Sequence, residues 1–324
     1  FAARGLAYLM LGALALMVGA TTVAFTTSMA LLFGLRILQT LGYVTFTTAG
    51  NALVGRLASA EERSTKIAYF GLAANFAMTA TPGVTDLLLP SLGLTPFFWV
   101  AGAVALTAGV MTWFLHFVPS NNAPTATTGT ASSAQWRIPK QVWLAMLVAA
   151  LFGAGFGAYF QYFAILLERR EVAAAPVYAT YGLSIIATRL LLGRYLDRIG
   201  LGRVLAIASL LMASGLVVAA FGTSVLPLVV AAALIASGGG FFHPMLIAHH
   251  VNLLPDRPGW AVACFYFGFD AGIGIGAWIL GVVLDLSGLT ALYLAASFLT
   301  LLTLLFVPSM TRQAASITPG AQGT

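Results

Sequence analysis

Gly193-Arg194-Tyr195-Leu196-Asp197-Arg198-Ile199-Gly200, with Arg203 close behind, is a polar interruption between two long apolar runs, 172–192 and 204–222. Each residue type has a physical use in a short loop at a membrane surface. Gly193 lets neighbouring helices approach closely. Asp197 lies near the start of the next helix, where the positive end of the dipole favours a carboxylate. Arg198 and Arg203 pair with acids or with lipid phosphate, and Gly200 permits a tight turn. Topology alone would provide a basic loop; the spacing of Gly193, Asp197, Arg198 and Gly200 favours a specific conformational one.

Working outward from this loop, ten apolar runs are long enough to span a bilayer: 6–25, 29–54, 67–89, 95–118, 142–167, 172–192, 204–222, 225–251, 261–284 and 289–307. A helical span needs roughly 20 apolar residues. Lipid offers the backbone no hydrogen-bond partner, so helices are expected; barrel strands would be about 10 residues long and would alternate. Composition agrees. Apolar residues make up 60% and charged residues 7%, with a mean hydropathy of +0.95, whereas a soluble domain is about one quarter charged. The fold class predicted is all-α, a polytopic membrane protein of about ten transmembrane helices.

Orientation follows from the basic residues. With Arg4 inside, Arg56, Arg63, Lys66, Arg137, Lys140, Arg194, Arg198, Arg203, Arg257 and Arg312 fall on the same side, and only Arg169 and Arg170 fall outside. That bias places both termini of the chain in the cytoplasm. The net charge of +6 comes from residues standing singly at the ends of apolar runs, with no basic stripe for nucleic acid. Residues 120–135 read SNNAPTATTGTASSAQ, an uncharged flexible linker. The expected organisation is an N-terminal bundle of four spans (1–118), a cytoplasmic linker (119–139), a six-helix C-terminal bundle (140–308) and a cytoplasmic tail (309–324). Four plus six is uneven for a fold of matched repeats, and two further spans are expected upstream. Sliding the third span by 195 positions sets Asn75 on Asp270, one polar residue mid-span in each half.

The loop resembles the signature of the major facilitator superfamily, which runs Gly, three residues, Asp, a basic residue, one residue, Gly. Gly193, Asp197, Arg198 and Gly200 match, while Leu201 and Gly202 stand where that family has a basic pair. The resemblance implies two bundles that rock about a midplane site, with the chain running from the family's third span to its twelfth. It also implies secondary active transport of a drug-like or sugar-like solute, with efflux as the expected direction. Arg36-Ile37-Leu38-Gln39-Thr40-Leu41-Gly42 is similar to the family's Arg-x-x-Gln-Gly-x-Gly pattern, whose arginine is linked to proton transfer in proton-coupled members. Antiporters of the family carry a Gly-Pro dyad in the third span present here. This chain has Thr81-Pro82-Gly83, followed by Thr85-Asp86, a departure that argues against export by antiport; Pro82 still kinks the helix.

Read from the residues alone, an ionisable group inside a span needs a polar partner or a wet cavity. Arg36 meets that description, or else snorkels to the outer interface. Asp270, in Gly268-Phe269-Asp270-Ala271-Gly272-Ile273-Gly274, is mid-span and is the expected proton carrier, with Arg36 contributing; a structural hydrogen bond is the alternative. Its flanking glycines are expected to admit a helix or a substrate. His243, between Gly238-Gly239-Gly240 and Pro244, sits where a helix can bend. Gln39, Asn75, His243, Tyr159 and Gln161 are the expected cavity residues, although Tyr159 and Gln161 also suit an outer aromatic belt. Asp86 is nearer the outer end of its span.

His116, His249 and His250 lie at cytoplasmic ends and lack a third ligand for zinc, and Cys264, the one cysteine, reads as an inert buried thiol. No P-loop or catalytic cluster is present, so neither an ATP-driven pump, an enzyme nor a cofactor is expected. The expected partners are a small-molecule substrate, protons and the lipid of the cytoplasmic (inner) membrane, with the chain a monomer. Two alternatives stay open: a ten-span drug/metabolite-type transporter, and a membrane receptor or scaffold without transport.

Overall fold

The computed structural model describes residues 2–57, 88–114, 138–188, 199–255 and 257–317, with scattered positions between 70 and 85. Asn75, Asp86, Pro82, Gly193, Asp197, Arg198 and the 120–135 linker lie outside the described residues. Every regular element among those described is helical. The chain divides into two units. One comprises Phe1–Ala77 and Val84–Ala134, the other Met78–Gly83 and Gln135–Thr324.

In the first unit, α1 (Ala2–Val23) packs against α2 (Met29–Leu57) and α3 (Leu94–Phe114). Two glycines set the α1–α2 distance. A Cβ on Gly12 would come 2.8 Å from the Gly42 carbonyl oxygen, and one on Gly42 would come 2.8 Å from that of Gly12. The helices therefore meet backbone to backbone, as small residues allow in membranes. The outward faces carry Phe33, Leu41, Val110 and Trp113, all exposed. With lipid as the surrounding solvent, these apolar faces carry no solvation cost.

The second unit contains α4 (Lys140–Arg169), α5 (Ala174–Ala187), α6 (Leu201–Phe221), α7 (Val225–Leu253) and α8 (Pro258–Leu302), then a 3₁₀ turn (Thr303–Phe306) and α9 (Val307–Ile317). α8 is interrupted at Gly288, where φ is 80° and ψ −179°, a conformation that favours glycine. Among the described residues, six stretches are long and apolar enough to cross a membrane, and the last, Gly259–Ala314, takes in both the ninth and tenth expected spans. A helix, α9, runs through the start of the expected tail, and Met310 within it is fully buried. Aromatic rings pack within a largely aliphatic core: Phe152 stacks on Phe242 with centroids 3.6 Å apart at 8°. Two hydroxyls cross-link distant helices inside it, Thr303 donating to Ser209 at 2.6 Å and Ser297 to the Ala213 carbonyl at 3.0 Å.

Candidate functional site

Three consecutive glycines fix α7 among its neighbours. A Cβ on Gly238 would stand 2.7 Å from the Ala208 carbonyl oxygen of α6, one on Gly239 3.1 Å from the Phe156 ring of α4, and one on Gly240 3.0 Å from Thr188 at the end of α5. Successive helical residues point about 100° apart, so each glycine meets a different helix. The run expected to mark a bend is also a three-way contact. Pro244 sits inside α7 and removes the N–H that would bond the Gly240 carbonyl.

His243 is half-buried beside this contact. Its Nδ1–H donates to the Gly239 carbonyl at 3.0 Å; a carbonyl only accepts, so the proton is on Nδ1. Phe269, Phe156 and Phe265 surround the ring edge to face, at centroid distances of 4.5, 5.5 and 5.7 Å. Phe156 and Phe265 come from α4 and α8, so the histidine is held where three helices converge.

Asp270 follows Phe269 on α8 and is exposed. Gly268 and Gly276 show which way α8 faces α4. A Cβ on Gly268 would stand 2.6 Å from the Met146 carbonyl oxygen and one on Gly276 2.7 Å from Ala154, while one on Gly272 would land on the Ala150 carbonyl. Asp270 is two residues from both Gly268 and Gly272, about 200° around the helix, so it occupies the side away from α4. The flanking glycines thus divide in role. Gly268 and Gly272 admit α4, and Gly274, four residues beyond Asp270, has nothing within 4 Å among the described residues.

Tyr159 is placed differently from expectation. It is 1% exposed, stacked on Tyr181 at 4.5 Å and packed against Phe163 at 4.6 Å. It is core in this conformation and lies neither on an open cavity wall nor on an outer belt, because neighbouring rings cover it. Gln161, two residues on, is exposed. In the first unit Arg36 is exposed and its Nη1 donates to Oε1 of half-buried Gln39 at 3.0 Å. Arg36 and Asp270 stand in different units. Gly200 has φ +85° and caps the start of α6, the turn its residue type was expected to allow.

One contact joins residues too far apart in the chain for sequence reasoning to pair them. Arg170 donates from Nη1 to the Ala219 carbonyl at 2.9 Å and to that of Gly222, and from Nη2 to the Ala220 carbonyl at 2.8 Å. The last carbonyls of a helix have no intrahelical partner, and this guanidinium takes three at the end of α6. Burial pulls Arg170 below its usual value, but a guanidinium stays charged in proteins.

Among the described residues, long apolar helices with most of their charges at the ends, and with Arg36 and Asp270 exposed inside two of them, define a multi-pass membrane protein. The family model for the Major Facilitator Superfamily matches it twice, over residues 4–178 and 171–322, and the chain belongs to that family. This sets aside the drug/metabolite-type alternative. Among relatives, it is 25% identical over 185 residues to the uncharacterized MFS-type transporter YhhS of Salmonella enteritidis, covering 56% of this chain and 45% of that protein. It is 27% identical over 169 residues to YhhS of Escherichia coli, covering 51% and 41%. These matches span less than half the length of either relative. Among solved structures, a POT family transporter in complex with a thioalcohol-conjugated peptide superposes with a TM-score of 0.78 at 13% identity, over 94% of this chain and 82% of that one. The human organic anion transporter MFSD10 (TETRAN) gives 0.62 at 18% identity, over 94% and 82%. At these identities the structures establish a shared fold.

Proposed function

We propose that the protein is a secondary active transporter that carries a small organic solute across the cytoplasmic membrane by alternating access, driven by protons carried on Asp270. Residues 1–118 and 140–308 form the two moving bundles, 119–139 links them, both termini are cytoplasmic and the chain acts as a monomer. Membership of the family supports the transport reading. The observation that carries the proton role is the placement of Asp270, mid-span and on the side of α8 that α4 leaves open. A carboxylate at that depth costs about 2.5–3.5 kcal/mol on insertion scales, and taking a proton removes the charge responsible for that cost. Arg36, hydrogen-bonded to Gln39, is the second charged group of the relay. Gln39, Asn75, His243 and Gln161 contact the solute, and Gly193, Asp197, Arg198 and Gly200 form the loop that sets the conformational state. The solute is drug-like or sugar-like and moves outward, a reading that rests on family analogy.

Everted vesicles from cells making the full-length protein test this. Drug-like and sugar-like compounds are screened for the proton flux each elicits, read with a pH-sensitive dye. Asp270→Asn is expected to abolish the flux at unchanged protein abundance. Intact flux in that variant would remove the proton role.

A further inference from the structure

Arg36 and Gln39 are three residues apart on α2, a spacing at which helical side chains meet. One hydrogen bond joins them, Nη1 to Oε1 at 3.0 Å. Thr40 bonds the Arg36 carbonyl at 2.9 Å, a contact that does not involve the guanidinium. Arg36 is exposed, so packing does not fix its head group, and its direction depends on where Gln39 holds the accepting oxygen.

What holds Gln39 lies on α1. A Cβ on Gly19 would land on Gln39 Cγ and stand 3.4 Å from its Cδ. The bare backbone of Gly19 is therefore a socket for the Gln39 stem. Gly12 and Gly42 on the same helix pair act differently. Each would meet backbone atoms of the facing helix at 2.8 Å, so they set the distance between helices. At Gly19 the nearest backbone atom, the Leu35 carbonyl oxygen, is 3.4 Å away, an ordinary contact, and the side chain of Gln39 is what fills the space.

We infer that Gly19 is a positioning residue: by seating the stem of Gln39 it sets the direction of the Arg36 guanidinium. The inference rests on the reading of Arg36 as part of proton coupling, and its consequence is that α1, which contributes no charged group to the relay, controls the geometry of one on α2.

Phenylglyoxal, a dicarbonyl that condenses with guanidinium groups, reports the state of Arg36 without any substrate. The full-length protein in proteoliposomes is treated, and the rate at Arg36 is read by peptide mass spectrometry. Gly19→Ala is expected to raise that rate about tenfold, a typical coupling between contacting residues, and Gln39→Ala is expected to do the same. The double variant should react no faster than Gln39→Ala alone, because Gly19 acts only through Gln39. An unchanged rate in Gly19→Ala, or a further rise in the double variant, would overturn the inference. Should Gly19→Ala not fold, Gln39→Asn withdraws the oxygen without adding an atom to α1, and an unchanged rate there would overturn it equally. Gly19→Ala should also shift the pH profile of proton flux in the same direction as Gln39→Ala. A loss of helix packing would lower flux at every pH instead. Arg36→Gln separates the two readings. If it leaves the flux profile unchanged while labelling behaves as described, the role of Arg36 in coupling falls and the positioning stands. If it abolishes flux while Gly19→Ala leaves labelling untouched, the positioning falls and the role stands.

Discussion

Replacing Arg170 with alanine strips three carbonyls at the end of α6 of their donor. Ala219 and Ala220 are 0% and 1% exposed and Gly222 is buried, so water has poor access to the groups left behind. A hydrogen bond from a charged donor is worth about 1.5–3 kcal/mol net. Two considerations reduce a simple sum over three. Arg170 is only half-buried, and Thr290 still donates to the Ala220 carbonyl at 3.3 Å. The expected loss is therefore about 2–4 kcal/mol, which includes the favourable placement of a cation at a helix C-terminus. For a unit of this size each kcal/mol shifts the unfolding midpoint by roughly 2–4 °C. Thermal unfolding of the purified full-length protein in detergent is the assay. Arg169→Ala, at an exposed neighbouring position, is the control for loss of a positive charge. Arg170→Lys should fall between the two, because an ammonium cannot span several carbonyls as a planar fork does. If Arg170→Ala unfolds at the same temperature as Arg169→Ala, the capping argument is wrong.

Two further tests concern the helix contacts that place Asp270 and His243. Gly272→Ala puts a methyl on the Ala150 carbonyl and should cost about 1–3 kcal/mol as α4 and α8 are forced apart. Gly274→Ala, into open space, should be neutral or gain about 0.5–1 kcal/mol; equal effects in unfolding assays would refute the assigned facing of α8. Phe152→Ala empties a fully buried site stacked on Phe242 and should cost about 3–5 kcal/mol. Phe160→Ala, at 39% exposure, should cost far less, and a comparable loss would place the core elsewhere.

Much of this molecule was legible in one dimension. Charges that stand singly between apolar runs of about 20 residues leave helices as the solution in lipid, and that reasoning needs no knowledge of neighbours. The Gly193–Gly200 loop identified the family for a similar reason, since its residues act within a few positions of each other. Asp270 stood out because a carboxylate in an apolar run is costly wherever the helix packs. The turn at Gly200 was likewise readable, because a positive φ depends on the residue itself.

The direction in which each residue faces was not readable there. Gly272 and Gly274 look alike in sequence, yet one abuts α4 and the other faces open space. Tyr159 and Gln161 were grouped together, but a turn of about 200° separates two residues on a helix, and rings from α5 and α4 itself enclose only the first. The partners of Arg170 lie 49 to 52 positions away. The spanning helices are apolar nearly all round, so no clear amphipathic stripe marks an inside from an outside. Local chemistry therefore determined the helices, their membrane setting and the costly carboxylate. Which groups touch across helices, and hence what holds His243, Arg36 and the end of α6, was decided by tertiary packing, because those contacts join residues whose proximity leaves no periodic trace in the chain.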